Sequence, residues 1–291
     1  MEIFLAQIIG GLTTGSIYVL AAVSITFLMV VAGFIQFAHG EVIVICMYIA
    51  WLVLRVMSNN LILAIPTAII SAALLSIALE PITRRLRERR SYIECLILTV
   101  AFGMILTEIM SHSFYHGMPV SFPPALRGGG VTFRLGLISV SLSSLYVVAG
   151  CVALLLAFTY FLYRTKQGKA LRAIAQNIDT ARLLGIPVTK GTFLSFAITG
   201  IMAGVTAILL VMTLGFASPH LGGVLSFRAL AVMLFAGLGH FKGAVVCGFL
   251  LGIIESLTTG YFMGAWTDAI AMAIIMFTIM IRPEGLFGTK A

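Results

Sequence analysis

Charge is what this chain of 291 residues has least of: Asp, Glu, Lys and Arg make up 10% of it, against roughly a quarter of an ordinary soluble domain. With 60% hydrophobic residues and a mean hydropathy of +1.12, a water-soluble fold is excluded and an integral membrane protein is implied. Cysteine is also sparse. Cys46, Cys95, Cys151 and Cys247 stand singly in or beside apolar runs without Cys-x-x-Cys or Cys/His spacing, the pattern of reduced packing residues rather than of disulfides or a metal site. Zinc-hydrolase, serine-hydrolase and nucleotide-binding signatures are all missing: no His-Glu-x-x-His, Gly-x-Ser-x-Gly or Gly-x-x-x-x-Gly-Lys-Ser/Thr occurs. If ATP powers this protein, another subunit binds it, and no cofactor is expected on this chain. A basic leader is lacking too; the charge-free run that ends at Ile35 far exceeds a signal-peptide core and reads as a retained span.

The net charge of +8 is not that of a nucleic-acid binder. Eleven of the eighteen Lys and Arg residues fall in two windows, 80–94 and 163–192, between apolar runs, and that bias places both loops in the cytoplasm. The loop 113–136, with Pro119, Pro123, Pro124, the run Gly128-Gly129-Gly130 and only Arg127 and Arg134 for charge, falls outside by alternation. Arg282 and Lys290 place the C-terminal end inside, while the side of the N-terminus stays open.

A spanning helix needs about 20 apolar residues, and on that measure spans fall near 4–31, 61–79, 95–112, 137–162, 193–216 and 262–281. Two regions, 32–54 and 217–259, mix polar and Gly-rich spots with apolar stretches and read as broken or re-entrant helices. The expectation is an all-α polytopic membrane protein of about eight transmembrane helices, one transmembrane domain over 1–291. Irregular backbone at membrane depth survives only where protein covers it or a watery cavity faces it, so the two interruptions are expected to line a pathway. One lies in each half of the chain, as in transporters built from two structural repeats.

Within the first interruption, Gln36-Phe37-Ala38-His39-Gly40-Glu41 brings an amide, an imidazole and a carboxylate close together. Burying such groups costs several kcal/mol unless they are satisfied. Two compatible readings stand: these side chains line or gate a path, or they satisfy broken backbone at a helix junction. An i, i+2 His/Glu pair cannot face one way on a helix, so it does not make a zinc site. Glu108, Glu255 and Asp268 are single acids in apolar segments, open either to proton coupling or to pairing with Arg228 and nearby hydroxyls. Gly200-x-x-x-Gly204 and Gly248-x-x-x-Gly252, with Gly10, Gly11 and Gly15, predict close helix approach.

Between Arg164 and Lys190 the chain is amphipathic: Lys169, Arg172, Gln176 and Asp179 share one helical stripe, Leu171, Ile174, Ile178 and Ala181 another. Gly185-Ile186-Pro187 is a helix stop, and Asp179 is placed to cap a short helix from Thr180 to Leu184. Such a segment either docks in a partner's groove or lies against lipid headgroups.

Taken in order, Gly11-Leu-Thr-Thr-Gly-Ser-Ile-Tyr-Val-Leu20, Phe37-Ala-His-Gly-Glu41, Gly168 to Ile186, the small-residue region Ala229 to Glu255 and the ending Arg282-Pro-Glu-Gly-Leu-Phe-Gly288 resemble the permeases of branched-chain amino acid ABC importers, specifically the shorter of their two permease types. The resemblance implies a bacterial inner-membrane assembly of two permeases (a second chain type or a copy of this one), two cytoplasmic ATP-binding subunits and an extracytoplasmic solute-binding protein. It implies that the stretch with Gly168, Ala170, Arg172, Ala173, Ala175, Asn177, Ala181, Leu184, Gly185 and Ile186 is a coupling segment that enters a cleft on the ATPase, and Asp179, on the stripe of Arg172, is expected to act with it. It also implies that the box Phe37, Ala38, His39, Gly40 and Glu41 lies in the membrane core; Gln36, His39, Gly40, Glu41 and Glu255 are expected to line the translocation path. Gln36 stands where Asn is usual, and Ala236-Gly-Leu-Gly-His240 replaces a more Gly/Ser-rich run; relatives carry urea and short amides as well as branched-chain amino acids. The alternative class is an ion-coupled transporter or channel acting without an ATPase through Glu108, Glu255 or Asp268.

Overall fold

The computed structural model describes all residues except 1, 58–59, 90, 115–116, 125, 127–131, 136–137, 262–263, 283 and 289–291. Arg127, the run Gly128-Gly129-Gly130 and Lys290 therefore lie outside the described residues. Among the described residues, eleven α-helices carry the fold: α1 (Glu2–Ala32), α2 (His39–Val56), α3 (Leu61–Glu88), α4 (Tyr92–Ser113), α5 (Leu142–Arg164), α6 (Lys166–Gln176), α7 (Ile178–Leu183), α8 (Val188–Leu214), α9 (Leu221–Ala236), α10 (Phe241–Tyr261) and α11 (Thr267–Ile281). Four short strands join them: β1 (Val120–Ser121), β2 (Thr132–Leu135), β3 (Ile138–Ser141) and β4 (Phe216–Ala217). β1 pairs antiparallel with β4, and β2 with β3.

Among the described residues, seven helices are long and apolar enough to cross a membrane, and α9 and α11 are shorter apolar helices. The expected broken helix at 217–259 is two helices, α9 and α10, because Gly237 and Gly239 adopt positive φ (99° and 85°) and end the ladder. In 32–54 the break is confined to 33–38, and α2 then runs uninterrupted. The span expected at 137–162 starts at Leu142, after the β2–β3 hairpin, and that at 262–281 starts at Thr267. Window 80–94 is helical over 80–88 and 92–94, since Arg85 and Arg87 suit the negative C-terminal end of α3. The other basic window, 163–192, is the end of α5, the two helices α6 and α7 and the start of α8 rather than a loop.

α1 has 31 residues and is about 46 Å long, well over the roughly 30 Å of hydrocarbon. It is apolar on every side, and Ile17 to Val23 are at most 3% exposed, so it forms the centre of the bundle. α10 packs along it backbone to backbone: a Cβ on Gly11 would lie 2.6 Å from the Ile253 Cα, and one on Gly15 would lie 3.0 Å from the Phe249 Cα. Gly200 and Gly204 of α8 meet Ala73 and Ile69 of α3 in the same way, at 2.6 Å each. Around this centre, α3, α4, α5 and α11 turn Ile70, Met104, Leu156 and Met280 outward, a surface suited only to lipid or another apolar chain.

Gly33 lies against Tyr92, Gly239 against Val30, and Leu286 N–H donates to the Phe235 carbonyl at 2.9 Å. The end of α1, the start of α4, α6–α7 and the residues after α11 thus gather at a strongly basic end of the bundle, the end that the charge bias is expected to keep in the cytoplasm. α1 therefore begins at the end of the bundle opposite the basic one.

Candidate translocation path and coupling surface

The first interruption is a re-entry. Gly33 takes φ +81° and the chain doubles back over 33–38, with Phe37 N–H donating to the Thr99 hydroxyl of α4 at 3.3 Å. α2 then starts beside Ser24, well before α1 ends, with the Ser24 Oγ 2.6 Å from the His39 Nε2. Its N-terminus consequently lies inside the bundle. The second interruption mirrors this arrangement. After Gly215 (φ +74°) and β4, α9 begins against α2: Gly222 lies at Glu41, where an added Cβ would be 2.9 Å from the Glu41 Cα, and Gly40 lies against the Gly222 carbonyl and Ser226. The first turns of α2 and α9 therefore overlap and run in opposite directions.

Ser226 ties the junction together. Its hydroxyl accepts from Gly40 N–H at 2.9 Å and lies 2.8 Å from the Phe37 carbonyl and 3.0 Å from the Glu41 Oε2, two acceptors for one proton. Glu41 is half-buried and borders a cavity of about 370 Å³ lined by Thr99, Gly103, Thr107, Gly223 and Phe227. This cavity opens on the α4 and α9 face, where Met104 is 69% and Phe227 65% exposed. Gln36 and His39 are buried behind it. Neither side-chain polar atom of Gln36, nor the Nδ1 of His39, has a hydrogen-bond partner among the described residues. Each such atom costs about 1–3 kcal/mol unless water or a ligand satisfies it.

Glu255 stands apart from that group. Tyr18 donates to its Oε2 at 2.6 Å, Arg228 donates to the Tyr18 hydroxyl at 2.6 Å, and the Arg228 Nε lies 3.4 Å from the Glu255 Oε1. At that last contact the two charges face each other without hydrogen-bond alignment. Arg228 also pairs with Asp268. One cation thus joins α1, α9, α10 and α11 and faces both acids. Glu108 pairs with His112 one turn along α4, at 3.1 Å on the exposed surface.

At the basic end, Thr165 caps α6 by accepting from Gly168 N–H at 3.0 Å. Asn177, not Asp179, caps α7: its extended backbone (φ −159°) lets its Oδ1 accept from Thr180 N–H at 2.9 Å, so the helix starts two residues earlier than expected. Asp179 instead lies exposed in the first turn, where the helix dipole favours an acid. The stop is a Schellman turn, with Ile186 N–H on the Ala181 carbonyl and Gly185 N–H on that of Arg182, both at 3.0 Å, and Gly185 at φ +76°. Leu171, Ile174 and Ala181 are buried; Lys169, Arg172, Gln176 and Asp179 are exposed, as the two stripes require. Arg172 lies over the Tyr163 ring at 4.8 Å. Gly168 faces inward, against the Phe161 and Leu162 backbone, and Ala175 is half-buried. Leu183 and Leu184 stand out at 89% and 73% exposed amid charged neighbours.

Residues 7–279 match the family described as branched-chain amino acid transport system / permease component. The chain belongs to that family. It is 28% identical over 298 residues to the high-affinity branched-chain amino acid transport system permease protein LivH of Escherichia coli K12, covering 98% of this chain and 96% of that one. It is equally similar, at 28% over 295 residues with the same coverage, to the permease BraD of Pseudomonas aeruginosa. The probable LivH of Methanocaldococcus jannaschii is 27% identical over 290 residues, 96% of this chain and 91% of its own. This multi-pass membrane protein is thus a permease subunit of an ABC importer.

In this permease the structure brings Gln36, His39, Gly40 and Glu41 to one junction and leaves Glu255 in a separate cluster. Sequence reasoning missed Ser24, Ser226, Thr99 and Tyr18, which complete the two sites. Hydroxyls are frequent in apolar helices, where they bond the carbonyl one turn back, as Thr26 does to Ala22 at 2.7 Å, so nothing in the sequence marks these four.

Proposed function

We propose that this permease supplies one half of a translocation path for a branched-chain amino acid, in the inner membrane of a bacterium. Alternation of access would be driven by separate cytoplasmic ATP-binding subunits that dock on α6–α7. Solute would arrive from an extracytoplasmic binding protein. The observation that carries the path is the junction where α2 and α9 begin, with the Gln36 amide and the His39 Nδ1 buried, without a hydrogen-bond partner among the described residues, and next to Glu41 and Gly40. The cavity bordered by Glu41 opens on the α4–α9 face instead of closing into a pore, which fits a path completed by a second permease, of either chain type. Glu255 serves as a wall that, through Arg228, ties α9 to α10. The nature of the solute follows from the relatives' names.

Coupling rests on Arg172, Asn177, Asp179 and Gly185, which present or shape the exposed surface, and on Gly168 and Ala175, which seat it. When the ATP-binding subunits close, α6–α7 move with them, and through the buried Leu171 and Ile174 they draw α8 and the α9 start that follows it. An ion-driven transporter is the weaker reading, since Glu255 and Asp268 already face Arg228 and Glu108 faces His112. The test is the purified complex in proteoliposomes. Arg172→Glu combined with Leu184→Asp is expected to insert normally and to lose at least about tenfold of solute-stimulated ATP hydrolysis, as for a lost interface anchor. Wild-type stimulation in that variant would remove the coupling assignment, and uptake by the permease alone under an ion gradient would favour the other class.

A further inference from the structure

On the outer side of the bundle, at its cytoplasmic end, a second cavity of about 640 Å³ lies between α6, the first two turns of α8 and the end of α3. Its floor is apolar, built from Leu171, Ile174, Phe193 and Leu194. Arg84 and Lys190 also line it, and neither makes a hydrogen bond or ion pair among the described residues. We propose that this cavity binds an anionic phospholipid of the cytoplasmic leaflet, its phosphate between Arg84 and Lys190 and its acyl chains on the apolar floor.

Three observations select that occupant. First, the cavity continues into the lipid-facing side of the bundle. Phe193 (45% exposed), Ala197, Ile201 (42% exposed) and Val205 follow one another at four-residue spacing on α8 and are exposed or half-exposed. That stripe climbs about 18 Å, close to the roughly 15 Å depth of one leaflet's hydrocarbon, so a soluble anion would leave most of it uncovered. Second, two unpaired cations above an apolar floor at a membrane's cytoplasmic surface match a phosphodiester headgroup on acyl chains. Third, among the described residues no acid lines this cavity, whereas in the adjoining polar one, which shares Arg84, Glu88 and Asp179 stand beside Arg87 and Arg182, so an anion meets no like charge on the Lys190 side. α6 forms one wall, and a lipid bound there bridges α8 to the coupling segment and restrains it. The site does not depend on which solute crosses or on which residues line the path.

The experiment uses the assembled permease–ATPase complex, equilibrated in nanodiscs of phosphatidylcholine alone or with added phosphatidylglycerol, released into mild detergent and examined by native mass spectrometry. Wild type is expected to keep one phosphatidylglycerol per copy of this chain. Arg84→Gln with Lys190→Gln should lower retention by about fivefold for each cation removed. Arg85→Gln, an exposed arginine on the same turn that does not line the cavity, should retain it as wild type does. Only material eluting as intact complex is scored, which separates lost binding from lost folding. Equal retention in the double variant, or equal retention of phosphatidylcholine, overturns the proposal. So does retention by the isolated permease that disappears once the ATPase is present, because the cavity would then be an ATPase surface.

Discussion

Gly40 has no room for a side chain: an added Cβ would overlap the Gly222 carbonyl and Ser226, whereas one on Gly223 would come no closer than 3.8 Å, to the Glu41 Oε1. Gly40→Ala is therefore expected to push the starts of α2 and α9 apart, at a cost of about 1–3 kcal/mol of strain, and to reduce uptake strongly. Gly223→Ala should behave like wild type in uptake and in thermal unfolding in detergent. Equal behaviour of the pair would mean that the two starts do not touch. The polar side chains of this junction were legible in the sequence because Gln36, His39 and Glu41 interrupt an apolar run. The need for glycine at position 40 was not, since it arises from a backbone that sits far away along the chain.

Among the elements, α6 and α7 were the most legible, because an amphipathic stripe and a Gly-Ile-Pro stop are local patterns. The start of α7 lies two residues before the one the sequence predicts. Asn177 and Asp179 are both good capping residues, and only the backbone angles at 177 decide between them. Asn177→Ala should destabilise α7 by about 1 kcal/mol, seen as faster amide exchange over Thr180–Leu184, while Asp179→Ala should change exchange there far less. Slower or unchanged exchange in Asn177→Ala would return the cap to Asp179. The small-residue motifs announced close approach but not its partners. Gly248 and Gly252 meet α1, and Gly200 and Gly204 meet α3, pairings that no single helix specifies.

Across the whole bundle, Arg228 joins four helices through Tyr18, Glu255 and Asp268. Removing one member of a buried ion pair leaves the other uncompensated, at a cost of roughly 3–5 kcal/mol, whereas removing both charges together is far milder. Arg228→Met should thus lower the thermal unfolding temperature in detergent markedly, and adding Glu255→Gln should recover most of the loss. If the double variant is no more stable than the single one, the cluster is held by something other than charge. The membrane class, the clustering of basic residues in two windows and the amphipathic character of α6–α7 all follow from residue order, because hydropathy, charge bias and helical stripes are sums over neighbours. The meeting of Gly40 with Ser226, 186 residues apart, the sharing of Arg228 by two acids and the cavity between α6 and α8 required the fold. Contacts between distant segments exist only once the helices have packed, and packing turns on shape complementarity that no local window contains.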